Sequence, residues 1–192
     1  GKGPVPDVPF QMLTSLELSK KEWVEIARHA PWQMTRMNLN TFVRKGLFEE
    51  DSFAKAIAAR FRNERDIRAS RTLPYQLMVA ALNATKGVPD VVRDALTDAM
   101  EIAIGNVPVL EGRVAVCPDV SGSMQSPITG GRKGSTSSVR CLDVAALVAA
   151  AFARKNRGTR VLPFSDDVVP VKLHPGRSVI ANAKTLASLP SG

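Results

Sequence analysis

The sequence predicts an α plus α/β chain, helical first and mixed second, and three observations carry this. From Ser19 to Gly105, segments with apolar residues three or four apart are separated by Pro and Gly stops, as amphipathic helices require. Val114-Ala-Val-Cys117 is then a short apolar run that enters an oxygen-rich turn. A long alanine-rich helix pattern and a second apolar run follow, giving a strand–loop–helix–strand order. That order builds parallel sheets, whose sites lie at the carboxyl ends of the strands. The boundary is set so that residues 1–107 form the helical part and 108–192 the α/β part.

Residues 1–18 begin Pro-rich and irregular. Ser19-Lys-Lys-Glu22 then fits a capping box, with Ser19 accepting from the helix start and Glu22 reaching back. The helix it opens carries Trp23, Ile26, Ala27 and Ala30, and Pro31 ends it or starts the next. A second helix is expected from Trp32 to Lys45, stopped by Gly46. It is rich in polar residues: Gln33, Thr35, Arg36, Asn38, Asn40 and Thr41. Asparagine lowers helix propensity because its amide competes for backbone groups, so two of them indicate a polar task. That task is either a solvated face with bonds tying neighbouring helices, or an edge that meets RNA. The candidate RNA-contacting residues are Arg36, Asn38, Asn40, Arg44 and Lys45.

Asp51 can cap a third helix with Phe53, Ile57 and Phe61 on one face. Arg60, Arg62, Arg65, Arg68 and Arg71 follow, interrupted by Glu64 and Asp66, and Glu64–Arg68 is a favourable i,i+4 pair. The row reads as a salt-bridged surface or as a phosphate-binding rim. Thr72-Leu-Pro74 opens a further helix with Leu77, Ala81 and Leu82 inward and Gly87 as its stop. Pro89 opens the next, carrying Val92, Ala95, Leu96 and Ala99. About five helices of roughly 10–16 residues are expected, and Asn106 to Gly112 is the linker.

Arg113-Val-Ala-Val-Cys-Pro-Asp-Val-Ser-Gly-Ser-Met124 outweighs the rest of the chain. Its apolar start suits a strand covered on both faces. Asp119, Ser121 and Ser123 then place a carboxylate and two hydroxyls within five residues, and Gly122 permits a sharp bend. These are hard oxygen donors with no thiolate or imidazole among them, the set that suits Mg²⁺ or Mn²⁺. The alternative is a hydrogen-bonded turn or a helix cap.

Gln125 to Ser138 is Gly/Ser-rich and basic, a surface loop. It is not a P-loop, because Lys133 is followed by Gly134. A helix is expected from Ser138 to Asn156 with Leu142, Ala146, Ala149 and Ala153 in a small-residue stripe suited to close packing on a sheet. Thr159 to Phe164 reads as a strand, Ser165-Asp-Asp167 as an exposed turn, Val168 to Leu173 as a returning strand and 178–189 as a last helix. Asp166 and Asp167 are further oxygen donors in that turn. His29 and His174 belong to no motif.

Hydrophobic residues make up 44% of the chain but aromatics only 5%, so aliphatic packing must dominate the core. No apolar run approaches the roughly 18 residues of a membrane span, and the N-terminus lacks a signal peptide's apolar segment. The two cysteines, Cys117 and Cys141, allow no disulfide framework and are expected reduced and largely buried, consistent with the cytoplasm. The net charge is +8, with 15 basic against 12 acidic residues in 1–100 and 11 against 6 beyond. Such a chain is drawn to polyanions, RNA being one.

Asp119-Val-Ser-Gly-Ser-Met124 resembles the metal-ion-dependent adhesion site (MIDAS) of a von Willebrand factor A domain. Pro31-Trp-Gln-Met-Thr-Arg-Met-Asn-Leu-Asn-Thr-Phe42 resembles the helical TROVE module of the Ro ribonucleoprotein family. The two in this order are similar to a Ro protein, partial in both modules. The resemblance implies helical repeats at 1–107 and the N-terminal part of a von Willebrand A-like, Rossmann-like domain at 108–192. It implies that the later Thr and Asp ligands of the metal site are absent, leaving Mg²⁺ weakly bound or its site empty. It also implies a fragment, a reduced paralogue or one piece of a split protein.

The function expected from this resemblance is non-catalytic binding of small non-coding or structured RNA, with a divalent cation in the A-type domain. No nucleophile or general base accompanies Asp119 in the motif, which argues against hydrolysis. The alternative is a metal-dependent protein-interaction module without RNA binding, its partner a protein or the missing remainder of the domain.

Overall fold

The computed structural model describes residue 12 and residues 17–128 and 139–190. Its helical part comprises α1 (Lys20–His29), α2 (Trp32–Met37), α3 (Leu39–Arg44), α4 (Asp51–Phe61), α5 (Glu64–Ser70), α6 (Pro74–Asn83) and α7 (Asp90–Ala103). The α/β part adds β1 (Ala115–Val116), α8 (Cys141–Lys155), β2 (Arg160–Val161) and α9 (Val179–Ala187). The expected loop from Gln125 to Ser138 falls outside the described residues from 129 to 138.

The capping box at α1 is formed: the Ser19 amide donates to Glu22 Oε2 at 2.7 Å, and the Glu22 amide donates to Ser19 Oγ at 3.4 Å. The opposite end of α1 is closed from α4. Arg60 donates to the carbonyls of Ala27 and Arg28 at 3.3 Å each, and to that of Ala30. A cation at a helix C-terminus satisfies orphan carbonyls and complements the dipole. Arg60 is therefore a structural clamp inside the arginine row.

The single helix expected from Trp32 to Lys45 is two helices. Asn38 breaks it, with φ −115° and ψ 15°, while its Nδ2 donates to the Met34 carbonyl at 2.8 Å. The side chain takes a bond the backbone ladder would otherwise use. Gly46 stops α3 in the left-handed region at φ 68°, as expected of a glycine there. Asp51 does not cap α4; it lies in the first helical turn after Glu50, where its charge meets the positive end of the helix.

A further break at Arg62–Asn63 divides the arginine row. Arg62 pairs with Asp98 at 2.6 Å, and Arg68 with Glu64 at 2.5 Å, the expected i,i+4 pair. The helical part is thus more finely divided than about five long helices. In α6, Leu77 is buried but Ala81 is only half-buried and Leu82 is 50% exposed. Five residues turn a helix through about 140°, which carries Leu82 off the Leu77 face. That helix ends at Asn83, before Gly87. In α7, Val92, Ala95, Leu96 and Ala99 are fully buried.

Edge-on rings knit the helical core, with Phe42 5.9 Å from Phe53 and Trp32 5.6 Å from Phe61. The same apolar cluster continues through Ala146, Leu147 and Ala150 of α8 to Val179 and Leu186 of α9. The parts on either side of residue 107 therefore share one core. The linker between them is fastened too. The Leu110 amide donates to Asn156 Oδ1 at 2.8 Å, and Asn156 Nδ2 donates to the Pro108 carbonyl at 3.2 Å.

Strands β1 and β2 pair in parallel, Ala115 against Arg160 and Val116 against Val161. Alternation puts Val114 and Val116 on a half-buried face and Ala115 and Cys117 on an exposed one. The expected burial of both faces is not met: α8 lies against the two strands, and Ala115 and Cys117 on the opposite face meet no covering layer among the described residues. The expected burial of both thiols fails for the same reason. Cys117 is exposed, whereas Cys141 is half-buried at the start of α8. Helix α8 packs chiefly on α9, with the sheet as a smaller contact.

Val168 to Leu173 does not form the expected strand. It keeps one antiparallel bridge, Val168 to Phe164, and a bond from the Val169 amide to the Pro163 carbonyl at 2.8 Å. Pro170 then removes the next donor, and the ladder stops. No helix among the described residues is long and apolar enough to cross a membrane.

Candidate functional site

Parallel pairing continues past the two strands and delivers Asp119 to the end of β1. Arg160, Leu162 and Phe164 donate through their amides to the carbonyls of Val114, Val116 and Pro118 at 3.0, 2.9 and 3.1 Å. The Val120 amide returns a bond to the Phe164 carbonyl at 2.8 Å, and Asp119 bridges Phe164. Val120 is fully buried and pins the turn, leaving Asp119 half-exposed at the carboxyl end of the strand.

The three predicted oxygen donors gather there. The Ser121 amide donates to Asp119 Oδ1 at 2.8 Å, and the Ser121 and Ser123 hydroxyls lie 3.1 Å apart. The Ser121 hydroxyl, and then its amide, hold the Asp119 carboxyl below its ordinary pKa against a smaller opposing effect of burial. Asp119 is thus an ionised carboxylate beside two hydroxyls near neutral pH. The bend is a 3-10 turn, Gly122–Gln125, and Gly122 does not use the left-handed region. Of the alternative functions for these residues, the hydrogen-bonded turn is formed, whereas no side chain caps the 3-10 turn.

The donor set fits a small hard cation: one anionic oxygen and two neutral ones, with water to complete the coordination. No group of three or more His, Cys, Asp or Glu side chains gathers among the described residues. Asp166 and Asp167 stay exposed in their own turn.

Sequence reasoning missed the residues that brace this turn. Arg140 donates through Nη1 to Gln125 Oε1 at 2.6 Å, and through Nε and Nη2 to the two oxygens of Asp143 at 3.1 and 2.6 Å. Burial works against ionisation of Asp143, but its bonds with the Arg140 side chain and amide hold its carboxyl below the ordinary pKa. The signal available was Arg140-x-x-Asp143 at the head of an apolar helix.

The five candidate RNA contacts lie on α2, α3 and the residues that bound α3, and are differently engaged. Arg36 donates to the Gln76 carbonyl and to Gln33 Oε1, both at 3.0 Å. Burial lowers its pKa. Asn38 bonds within its own segment, as described above. Asn40 ties α3 to the end of α6, donating to the Asn83 carbonyl and accepting from the Thr85 amide, both at 2.9 Å. Arg44 and Lys45 are exposed; Arg44 reaches Thr41 Oγ1 at 2.9 Å, and Lys45 Nζ lies 5.3 Å above the Trp23 ring. A groove of about 270 Å³ lies between Arg36, Met37, Asn40, Val79 and Asn83.

Helices stacked on a parallel β–α–β unit make a mixed helical and α/β fold, which is Ro-like by superposition. The chain superposes on the crystal structure of the Deinococcus radiodurans RO (RSR) protein with a TM-score of 0.74 and 20% sequence identity. The match covers 96% of this chain and 38% of that one, so the chain spans well under half the length of the protein it resembles. No family model and no curated protein matches the sequence.

Proposed function

We propose that this chain is a Ro-type RNA-binding protein that engages small non-coding or structured RNA in the cytoplasm. The observation that carries this reading is the Ro-like fold, which extends over nearly the whole chain. A basic balance, +8 overall, supports a polyanionic partner. Of the five helical candidates, the exposed Arg44 and Lys45 are the best placed to meet phosphate. Arg36, Asn38 and Asn40 are committed to internal bonds and act by fixing α2 and α3 in place.

Asp119, Ser121 and Ser123 hold Mg²⁺ or Mn²⁺ in this proposal. The cation, when bound, supplies open coordination positions to an acidic group of a partner. The protein residues supply a preformed ionised carboxylate and two hydroxyls. Asp119 hydrogen-bonds to Ser121 and to no histidine, and we assign it no catalytic role. Retention of structured RNA on a filter tests the reading. Retention that survives chelation and Asp119→Ala supports it.

The second reading is a metal-dependent protein-interaction module. It is favoured by the solvent-facing position of Asp119 and Ser123 and by the internal engagement of three of the five helical candidates. Absence of RNA retention, together with Mg²⁺-dependent capture of a protein carboxylate, selects it.

A further inference from the structure

Ser123 is exposed and sits in the 3-10 turn Gly122–Gln125. The turn closes on itself through the Met124 amide to the Ser121 carbonyl at 3.0 Å and the Ser126 amide to the Ser123 carbonyl at 3.2 Å, and it is held from outside at its far end as well as at Asp119. The far end is held from α8. The Cys141 amide donates to the Ser126 carbonyl at 2.9 Å, and the Ile128 amide to the Val139 carbonyl at 2.9 Å. Pro127 and Arg140 form an antiparallel bridge between these bonds. Among the described residues a side-chain link is added by Arg140, whose Nη1 donates to Gln125 Oε1 at 2.6 Å.

The Arg140 guanidinium is itself fixed in plane by its two bonds to Asp143. It is not needed to start α8. Asp143 Oδ2 already accepts from the Arg140 backbone amide at 2.9 Å, a bond that no side-chain replacement at 140 removes. The Nη1 group that Arg140 donates to Gln125 Oε1 is therefore left without a role in the helix.

We propose that Arg140 is a positioning residue for the cation site. Locked by Asp143, it grips Gln125 and so keeps Ser123 in register with Ser121 and Asp119. This rests on the reading of those three residues as the cation-holding set. Outer groups that orient metal ligands change affinity about 10–100-fold when removed. The wild-type chain and its Asp119→Ala, Gln125→Ala, Arg140→Ala, Arg140→Lys and double Gln125→Ala/Arg140→Ala variants are titrated with Mn²⁺, reading free ion by electron paramagnetic resonance.

Asp119→Ala abolishes binding. Gln125→Ala and Arg140→Ala each weaken it about tenfold, and the double variant is no weaker than either single one, because both break the same link. Arg140→Lys does not restore affinity, since a single ammonium cannot reproduce the fork. Gln125 is exposed, so its variant keeps the test valid even if Arg140→Ala misfolds. Wild-type affinity in Gln125→Ala, with binding lost in Asp119→Ala, overturns the positioning role and leaves the cation site standing. Equal binding by wild type and Asp119→Ala, or none by either, removes the cation site and this role with it.

Discussion

The Ser121 amide donates to Asp119 Oδ1 at 2.8 Å, two residues back along the chain, and thereby makes the β1 terminus an anionic oxygen site. The Ser121 hydroxyl first, and then this amide, stabilise the charged form, so the folded pKa of Asp119 lies below its unfolded value. The sign follows: any stability from these Ser121 contacts is present above the unfolded pKa and is lost as pH falls through the folded one. A carbon-detected NMR titration should find Asp119 protonating below the ordinary aspartate range. Ser121→Ala removes the hydroxyl and moves the midpoint upward. A midpoint unmoved by that change contradicts the assignment.

Asn40 is a helix tie before it is anything else. Asn40→Ala removes both its bonds to the end of α6. At roughly 0.5–1.5 kcal/mol each, the loss in urea-denaturation stability should be about 1–3 kcal/mol. Reduced RNA binding by this variant is thus interpretable only beside its stability. A change below about 0.3 kcal/mol would free Asn40 for direct contact.

Asn156 fastens the linker that joins the two parts. It is buried, and Asn156→Ala leaves the Leu110 amide without its side-chain acceptor. A buried group left unpaired costs about 1–3 kcal/mol. Equilibrium unfolding followed by Trp fluorescence and by circular dichroism should show that loss. Because one core spans both parts, the two probes should remain coincident in the wild type.

Gly87 owes its identity to Val43. A Cβ built at 87 would collide with the Val43 side chain, although the backbone there is not left-handed. Gly87→Ala should therefore destabilise by about 1–3 kcal/mol. Val43→Ala in the same chain should recover part of that cost. Strict additivity in this double-mutant cycle would show that the contact is not the cause.

Locally encoded features were legible in the sequence. The Ser19–Glu22 box, the Gly46 stop, the α7 face and the β1–α8–β2 order depend on spacing within a few turns of chain. So did the Asp119 cluster, whose donors lie within five residues. What failed depended on competition or on distant partners. Asn38 chose its own Met34 carbonyl over helix continuity. Pro170 cut short a run that had strand-like alternation. The exposure of Cys117 reflects what stacks on a sheet face, which the strand's own residues do not encode. Asn40, Arg60, Arg140 and Asn156 bond across 15 or more residues of chain. No periodicity points to such partners.

The most direct test of the central claim is the salt dependence of structured-RNA binding by the wild-type chain, measured by filter retention in chelator. Phosphate contacts release counterions, so the association constant should fall at least about tenfold between roughly 50 and 200 mM monovalent salt. Asp119→Ala should follow the same line. No measurable retention at low salt, or an association constant flat across that range, contradicts a Ro-type RNA-binding role for this chain.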